Sequence, residues 1–145
     1  MASGEDGAKF VPYQDLILQH AKSLVHSQPL REAKEITLTN RLCGDSVTVF
    51  LRLDASGAVE IAVVASGCAL CRASGSIMAQ TCTGLSVGKV LPLVARFQKK
   101  FATGVGELPA SESLAALTAL RSFATRSRCV LLPWEALLTL IAPAP

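Results

Sequence analysis

Val47-Thr48-Val49-Phe50-Leu51-Arg52-Leu53, Asp54-Ala55-Ser56-Gly57 and Val59-Glu60-Ile61-Ala62-Val63 together decide the fold. Val47, Val49, Leu51 and Leu53 alternate with Thr48, Phe50 and Arg52, and Val59, Ile61 and Val63 repeat the same period of two. That alternation gives each strand one apolar face. The four residues between the runs read as a hairpin turn, with Gly57 available for a positive φ. Upstream, Glu35 to Thr39 sets Ile36 and Leu38 on one face. Three such runs predict an antiparallel meander.

On either side the period becomes helical. From about Pro12, Tyr13, Leu16, Ile17, His20 and Leu24 fall on one helix face, and the stretch around Pro29 reads as a linker. Ala69 to Cys82, rich in small residues, predicts a helix ended by Gly84. Ser86 can cap the next, with Val87, Val90, Leu91, Val94, Phe97 and Phe101 inward, and Pro92 predicts a kink or a later start. Thr103 to Ala110 is a loop, and Ser111 to about Phe123 a short helix. Val130 to Ile141 is the last, with Trp134, Leu137, Leu138 and Ile141 inward. The class is α+β: a three-stranded antiparallel meander with helices packed against it. Residues 1–11, small and polar, are expected to be disordered, and 12–145 to form a single domain.

With 145 residues, half of them apolar, the chain can bury a real core. No apolar run reaches the roughly 18 to 20 residues that cross a bilayer, because Pro133, Glu135 and Pro143 interrupt the richest one. The opening Met1-Ala2-Ser3-Gly4-Glu5-Asp6 carries acid and has no apolar core of a secretory signal. A cytoplasmic protein with no membrane association is therefore expected. The net charge of +3 is mild, the cations are scattered and aromatics are few, which gives a nucleic-acid surface little support. In a reducing compartment, five cysteines speak for metal binding or catalysis rather than disulfides.

Three of those cysteines sit in short signatures: Asn40-Arg41-Leu42-Cys43-Gly44-Asp45, Ser66-Gly67-Cys68 and Arg126-Ser127-Arg128-Cys129. Three thiols and the Asp45 carboxylate match a four-coordinate metal in number and type, and a thiolate-rich set selects zinc or iron–sulfur chemistry. Cys68 and Cys129 each open a helix, where the positive dipole end favours a thiolate, and Arg126 or Arg128 can offset the site's negative charge. The carboxylate is the most easily displaced of the four ligands, which suits a site that opens. Each cysteine can equally be a small buried hydrophobe, and Cys82 is read as one. Cys68-Ala69-Leu70-Cys71 has the spacing of a redox pair, but a meander precedes it rather than a βαβ unit, so Cys71 reads as a packing residue behind the metal. His20 reads as a helix-face residue and His26 as a solvated one.

Taken in order, the motifs resemble the SufU branch of the IscU/SufU/NifU-type iron–sulfur assembly proteins, over about residues 12 to 140. Tyr13-Gln14-Asp15-Leu16-Ile17-Leu18-Gln19-His20 is similar to the family's opening helix. Asn40-x-x-Cys43-Gly44-Asp45, Gly67-Cys68-Ala69 with Ala73-Ser74-x-Ser76-x-Met78, and Arg126-x-Arg128-Cys129 with Leu132-x-Trp134-x-Ala136-Leu137 resemble its three metal motifs. A long stretch between Cys68 and Cys129, and Arg128 where IscU scaffolds carry a histidine, favour the SufU branch. The resemblance implies a Zn2+ site made by Cys43, Asp45, Cys68 and Cys129. It implies that Cys43 accepts sulfur as a persulfide from a SufS-type cysteine desulfurase, in a sulfurtransferase-like role that feeds apo iron–sulfur acceptor or scaffold proteins. The alternative it leaves open is a scaffold that builds and transfers a [2Fe–2S] iron–sulfur cluster on the same ligands. Three residues depart from the pattern. Arg41 replaces a proline, Gly75 an alanine, and Cys71 a common serine. The first two are expected to loosen local geometry without touching a ligand, and Cys71 to offer either a second thiol near the metal or a site for persulfide relay.

Overall fold

Strand pairing follows the alternation read from the sequence. In the computed structural model, which describes residues 13–23, 25–123 and 126–142, β1 (Lys34–Asn40), β2 (Asp45–Leu53) and β3 (Val59–Ser66) form one antiparallel sheet in the order β1-β2-β3. The register sets Ile36, Val49 and Val63 in one cross-strand row and Leu38, Val47 and Ala65 in the next. These rows belong to the core. Residues 13–22 form helix α1. After the sheet come α2 (Ala69–Cys82), α3 (Val87–Thr103), α4 (Glu112–Ala119) with a 3-10 turn at Leu120–Ser122, and α5 (Ser127–Ile141). Helices α2 and α5 cover the apolar face of the sheet, while α3 packs on α5 and α4 on α2 and α3. The expectations for residues 1–11, Pro12 and Leu24 fall outside the described residues.

The alternation misplaces two residues of β2. Leu53, assigned to the buried row, is exposed, being the last residue before the hairpin. Phe50, assigned to the opposite face, is nonetheless buried there, paired across the strands with the buried Ala62. The hairpin is tied by Asp54, whose Oδ1 accepts from the Ser56 and Ala58 amides at 2.8 and 3.0 Å. The outer edge of β3 is covered rather than left open. Val63 N–H donates to the His26 carbonyl at 2.7 Å, and Val59 exchanges hydrogen bonds with Gly84 and Leu85.

Pro92 does not delay α3, which runs unbroken from Val87. The lost bond would go to the carbonyl of Gly88, and both residues are exposed, so water replaces it. Leu93 faces the core instead of Leu91. In α5, Trp134 is fully buried and stacks on Phe97 with ring centroids 4.0 Å apart. Its Nε1–H donates to Ser74 Oγ at 3.0 Å, and that hydroxyl donates to the Val130 carbonyl. A serine thus resolves the one polar atom that the indole brings into the core.

Gly75 does not loosen α2. It marks the point where the helix comes closest to the sheet, and a Cβ there would lie 3.2 Å from Val63 Cβ, with Val63 Cγ1 closer still. Alanine gains about 0.5–1 kcal/mol of helix preference but overpacks at about 1–3 kcal/mol. Gly75→Ala is therefore expected to destabilise by about 1 kcal/mol. Beside Val63→Ala the same change should stabilise, and urea unfolding of the double-mutant cycle reads that reversal of sign.

Helix α1 is fastened by one imidazole. His20 Nδ1 lies 2.9 Å from Ser76 Oγ on α2, and Nε2 lies 3.1 Å from Ser113 Oγ on α4. Burial lowers its pKa below the ordinary 6.5. The folded chain then binds fewer protons than the unfolded one wherever pH lies between the lowered value and 6.5, so stability rises with pH across that window and is complete above it. Wild type should lose more thermal stability between pH 7.5 and 5.5 than His20→Gln does, and equal losses would remove His20 from the account.

Candidate metal centre

The centre starts at the turn joining β1 to β2. Asn40, nearly buried, accepts at its carbonyl from the Gly44 amide at 2.8 Å and the Cys43 amide at 3.2 Å. Its Oδ1 accepts from the Leu42 amide at 3.1 Å, an Asx-type turn that needs no proline and so tolerates Arg41. Gly44 completes the turn at φ +72°. The result leaves Cys43 exposed on the turn and places Asp45 at the first position of β2, directly opposite Asn40. Asp45 is thus a strand residue rather than a loop residue, and only 2% of it is exposed.

Two helix starts meet this turn. Cys68 is the N-cap of α2, and its amide donates to Asp45 Oδ1 at 2.8 Å. Cys129 lies in the first turn of α5, which begins at Ser127, and its thiol donates to Asp45 Oδ2 at 2.8 Å. Cys43 and Cys129 place their sulfurs 3.9 Å apart. The ligand atoms of Cys43, Asp45 and Cys129 all lie within 4.8 Å of one another. Cys68 stands beside this trio without its sulfur joining it. That sulfur accepts from the Leu70 amide and from Arg126 Nη1, each at 3.4 Å. Arg126, rather than Arg128, is the arginine that touches a thiol of the centre.

The donor set fits a thiophilic cation. Two sulfurs bound tetrahedrally to zinc at about 2.3 Å stand about 3.8 Å apart, close to the separation of Cys43 and Cys129. Asp45 supplies a second sign. It is buried, and among the described residues no lysine or arginine pairs with it. A buried carboxylate without a cation is costly. Burial, the hydrogen bond to Asp45 and the contact with Cys43 all raise the Cys129 pKa, so without a cation its thiol stays protonated. A bound metal reverses that order by taking the thiolate directly.

The remaining cysteines behave differently. Cys71 and Cys82 are fully buried, and burial pushes each thiol up to about 12, with Asp45 and Cys68 adding to the effect at Cys71. Both are core residues held as thiols. His20 and His26 lie outside the trio. Gly67 and Asn40 are the two positions of the centre to which sequence reasoning assigns no role. Gly67, at φ +111°, sits so close to Asp45 that a Cβ would lie 3.1 Å from the Asp45 Cα and nearer still to its carboxylate. An Asx residue ahead of a turn, and a glycine ahead of a helix-opening cysteine, are the available signals.

Known proteins share this architecture. The chain is 28% identical over 128 residues to the iron-sulfur cluster assembly scaffold protein IscU of Streptococcus pyogenes serotype M1, covering 86% of this chain and 79% of that protein. It is 24% identical over 130 residues to the zinc-dependent sulfurtransferase SufU of Bacillus subtilis, covering 86% of each. The crystal structure of a nitrogen-fixing NifU-like protein (N-terminal) from Brucella abortus superposes with a TM-score of 0.75 at 26% identity, covering 89% of this chain and 91% of that one. Residues 12–125 match the NifU-like N terminal domain, and with the meander, the helices and the cysteine motifs in place the chain belongs to that family.

Proposed function

We propose that this chain is a zinc-dependent sulfur acceptor in iron–sulfur cluster assembly, loaded by a SufS-type cysteine desulfurase and supplying apo iron–sulfur acceptor or scaffold proteins in the cytoplasm. The observation that carries the reading is the convergence of Cys43, Asp45 and Cys129, with Cys43 the exposed one of its two thiols. Among the described residues no helix is long and apolar enough to cross a membrane. The SufU relative, named a zinc-dependent sulfurtransferase, supports the same reading.

Cys43, Asp45 and Cys129 would hold the zinc, with Cys68 as the fourth donor, tied to the group through the hydrogen bond that its backbone N–H donates to Asp45 Oδ1. Bound zinc supplies a thiolate at neutral pH without the need for a general base. Cys43 is the nucleophile. Its sulfur attacks the terminal sulfur of the desulfurase's cysteine persulfide, a new S–S bond forms on Cys43, and the partner's S–S bond breaks with its cysteine leaving as thiolate. No oxidant or reductant enters this exchange. Cys129 and Asp45, both buried, would hold the metal from within, and Cys43 on its exposed turn is the donor that a partner can reach, so exposure rather than ligand hardness singles out the exchangeable position. The turn also offers Leu42, 85% exposed, beside the exposed Arg41. A partner can grip both without disturbing the core.

The test is metal content and sulfur loading of wild type and Cys43→Ser. About one zinc per chain, no visible absorption, and persulfide on the wild type alone when desulfurase and cysteine are supplied are expected. Persulfide loading that survives in Cys43→Ser would overturn the role of Cys43. The second reading, a cluster scaffold, is favoured by the name of the IscU relative and by three thiolate donors. It predicts a coloured protein after anaerobic reconstitution that passes its cluster to an apo acceptor.

A further inference from the structure

A basic recess lies outside the four proposed ligands. It is a cavity of about 440 Å³ between the end of α1, the segment that follows it, β3 and the first turns of α2. Lys22, Arg72 and His26 line it, and no aspartate or glutamate does. Among the described residues neither Lys22 nor Arg72 has an ion-pair partner. Val63, Ala65 and Ala69 form an apolar wall. His26 is held in the left-handed region at φ +62° while its carbonyl receives the Val63 amide, so its backbone is fixed against the sheet. A fixed cavity of this size, with an apolar wall and a few unpaired cations, has the make-up of a small-molecule site.

We infer that this cavity binds a small organic anion, with its carboxylate or phosphate on Lys22 and Arg72 and its apolar body against Val63, Ala65 and Ala69. The volume is several times that of a lone phosphate, which is why an organic body belongs to the ligand. Charge-assisted hydrogen bonds supply the selectivity, since a neutral molecule of the same shape leaves both cations solvated and gains only the wall. Ala69 and Arg72 belong to the same helical turn that carries Cys68 at its cap, so an occupant also steadies one side of the metal centre.

The experiment titrates the zinc-loaded full chain with phenyl phosphate, benzoate and neutral benzyl alcohol, reading amide shifts by two-dimensional NMR. Saturable shifts confined to residues 20–27, 63–65 and 69–76 are expected for at least one anion, and the tighter of the two names the headgroup. Lys22→Gln and Arg72→Gln should each weaken that anion about tenfold, while Lys100→Gln leaves it unchanged. Neither Lys22 nor Arg72 is buried, so the variants keep the fold, and their amide spectra check it. Benzyl alcohol binding as tightly as the anions would overturn the inference. So would an absence of saturation, or anion binding indifferent to both substitutions.

Discussion

Asp45→Asn is expected to abolish metal retention and yet leave the metal-free protein at least as stable as metal-free wild type. The two halves of that result have one cause. Asp45 is buried without a cationic side chain, and its two oxygens are occupied by the Cys68 amide and the Cys129 thiol. Asparagine keeps an acceptor for the Cys68 amide and removes the charge, so chelated protein loses a burial penalty of a few kcal/mol at most. With zinc the sign reverses. A structural zinc contributes roughly 10 kcal/mol or more of apparent folding free energy, which the variant forfeits. Urea unfolding with and without chelator, on both proteins, gives the four numbers required. A variant clearly less stable than wild type in chelator would make Asp45 a structural acceptor and remove the argument for a cation.

Gly67→Ala should be the most damaging single methyl group that can be added near the centre. At φ +111° any L residue is strained by roughly 1–3 kcal/mol. The new Cβ would also press on Asp45, adding an overpacking cost of about 1–3 kcal/mol. Gly57 separates the two effects. Its φ is +87° and nothing lies within 4 Å of where a Cβ would stand, so Gly57→Ala carries backbone strain alone. The expected order is a fall in Tm of several degrees for Gly57→Ala and of about 10 °C or more for Gly67→Ala, with weakened zinc retention only in the second. Equal shifts in the two variants would mean that Asp45 moves aside freely.

The sheet is legible in the sequence because alternation and the Asp54 to Gly57 turn speak about neighbours along the chain. The end of α2 just ahead of Gly84, where Thr83 is the C-cap, and its start after Cys68 are legible for the same reason. Features that depend on partners distant in sequence are not. Nothing in the spacing of His20 says that it will meet Ser76 and Ser113 on two other helices. Pro92 reads as a kink or a later start, and the later start fails because a sequence does not carry the proline's solvent exposure. Gly75 reads as a loosening because only the packed structure shows how near Val63 lies. At the centre, residue type and motif single out three cysteines and Asp45. The structure brings three of the four ligand atoms together and leaves the Cys68 sulfur on Arg126.

The link between Cys129 and its partners on the turn spans most of the chain: 84 positions to Asp45 and 86 to Cys43. Contacts so remote close late, because the entropy of a long loop must be overcome before they return any energy. The hairpins can pair early, but the trio does not exist until α5 has docked on the sheet. During synthesis the turn with Cys43 therefore emerges well ahead of the thiol that would share its metal. Capture of a metal at this trio would then report that α5 has been made and docked, and a copy lacking α5 would present Cys43 without the means to hold a metal beside it.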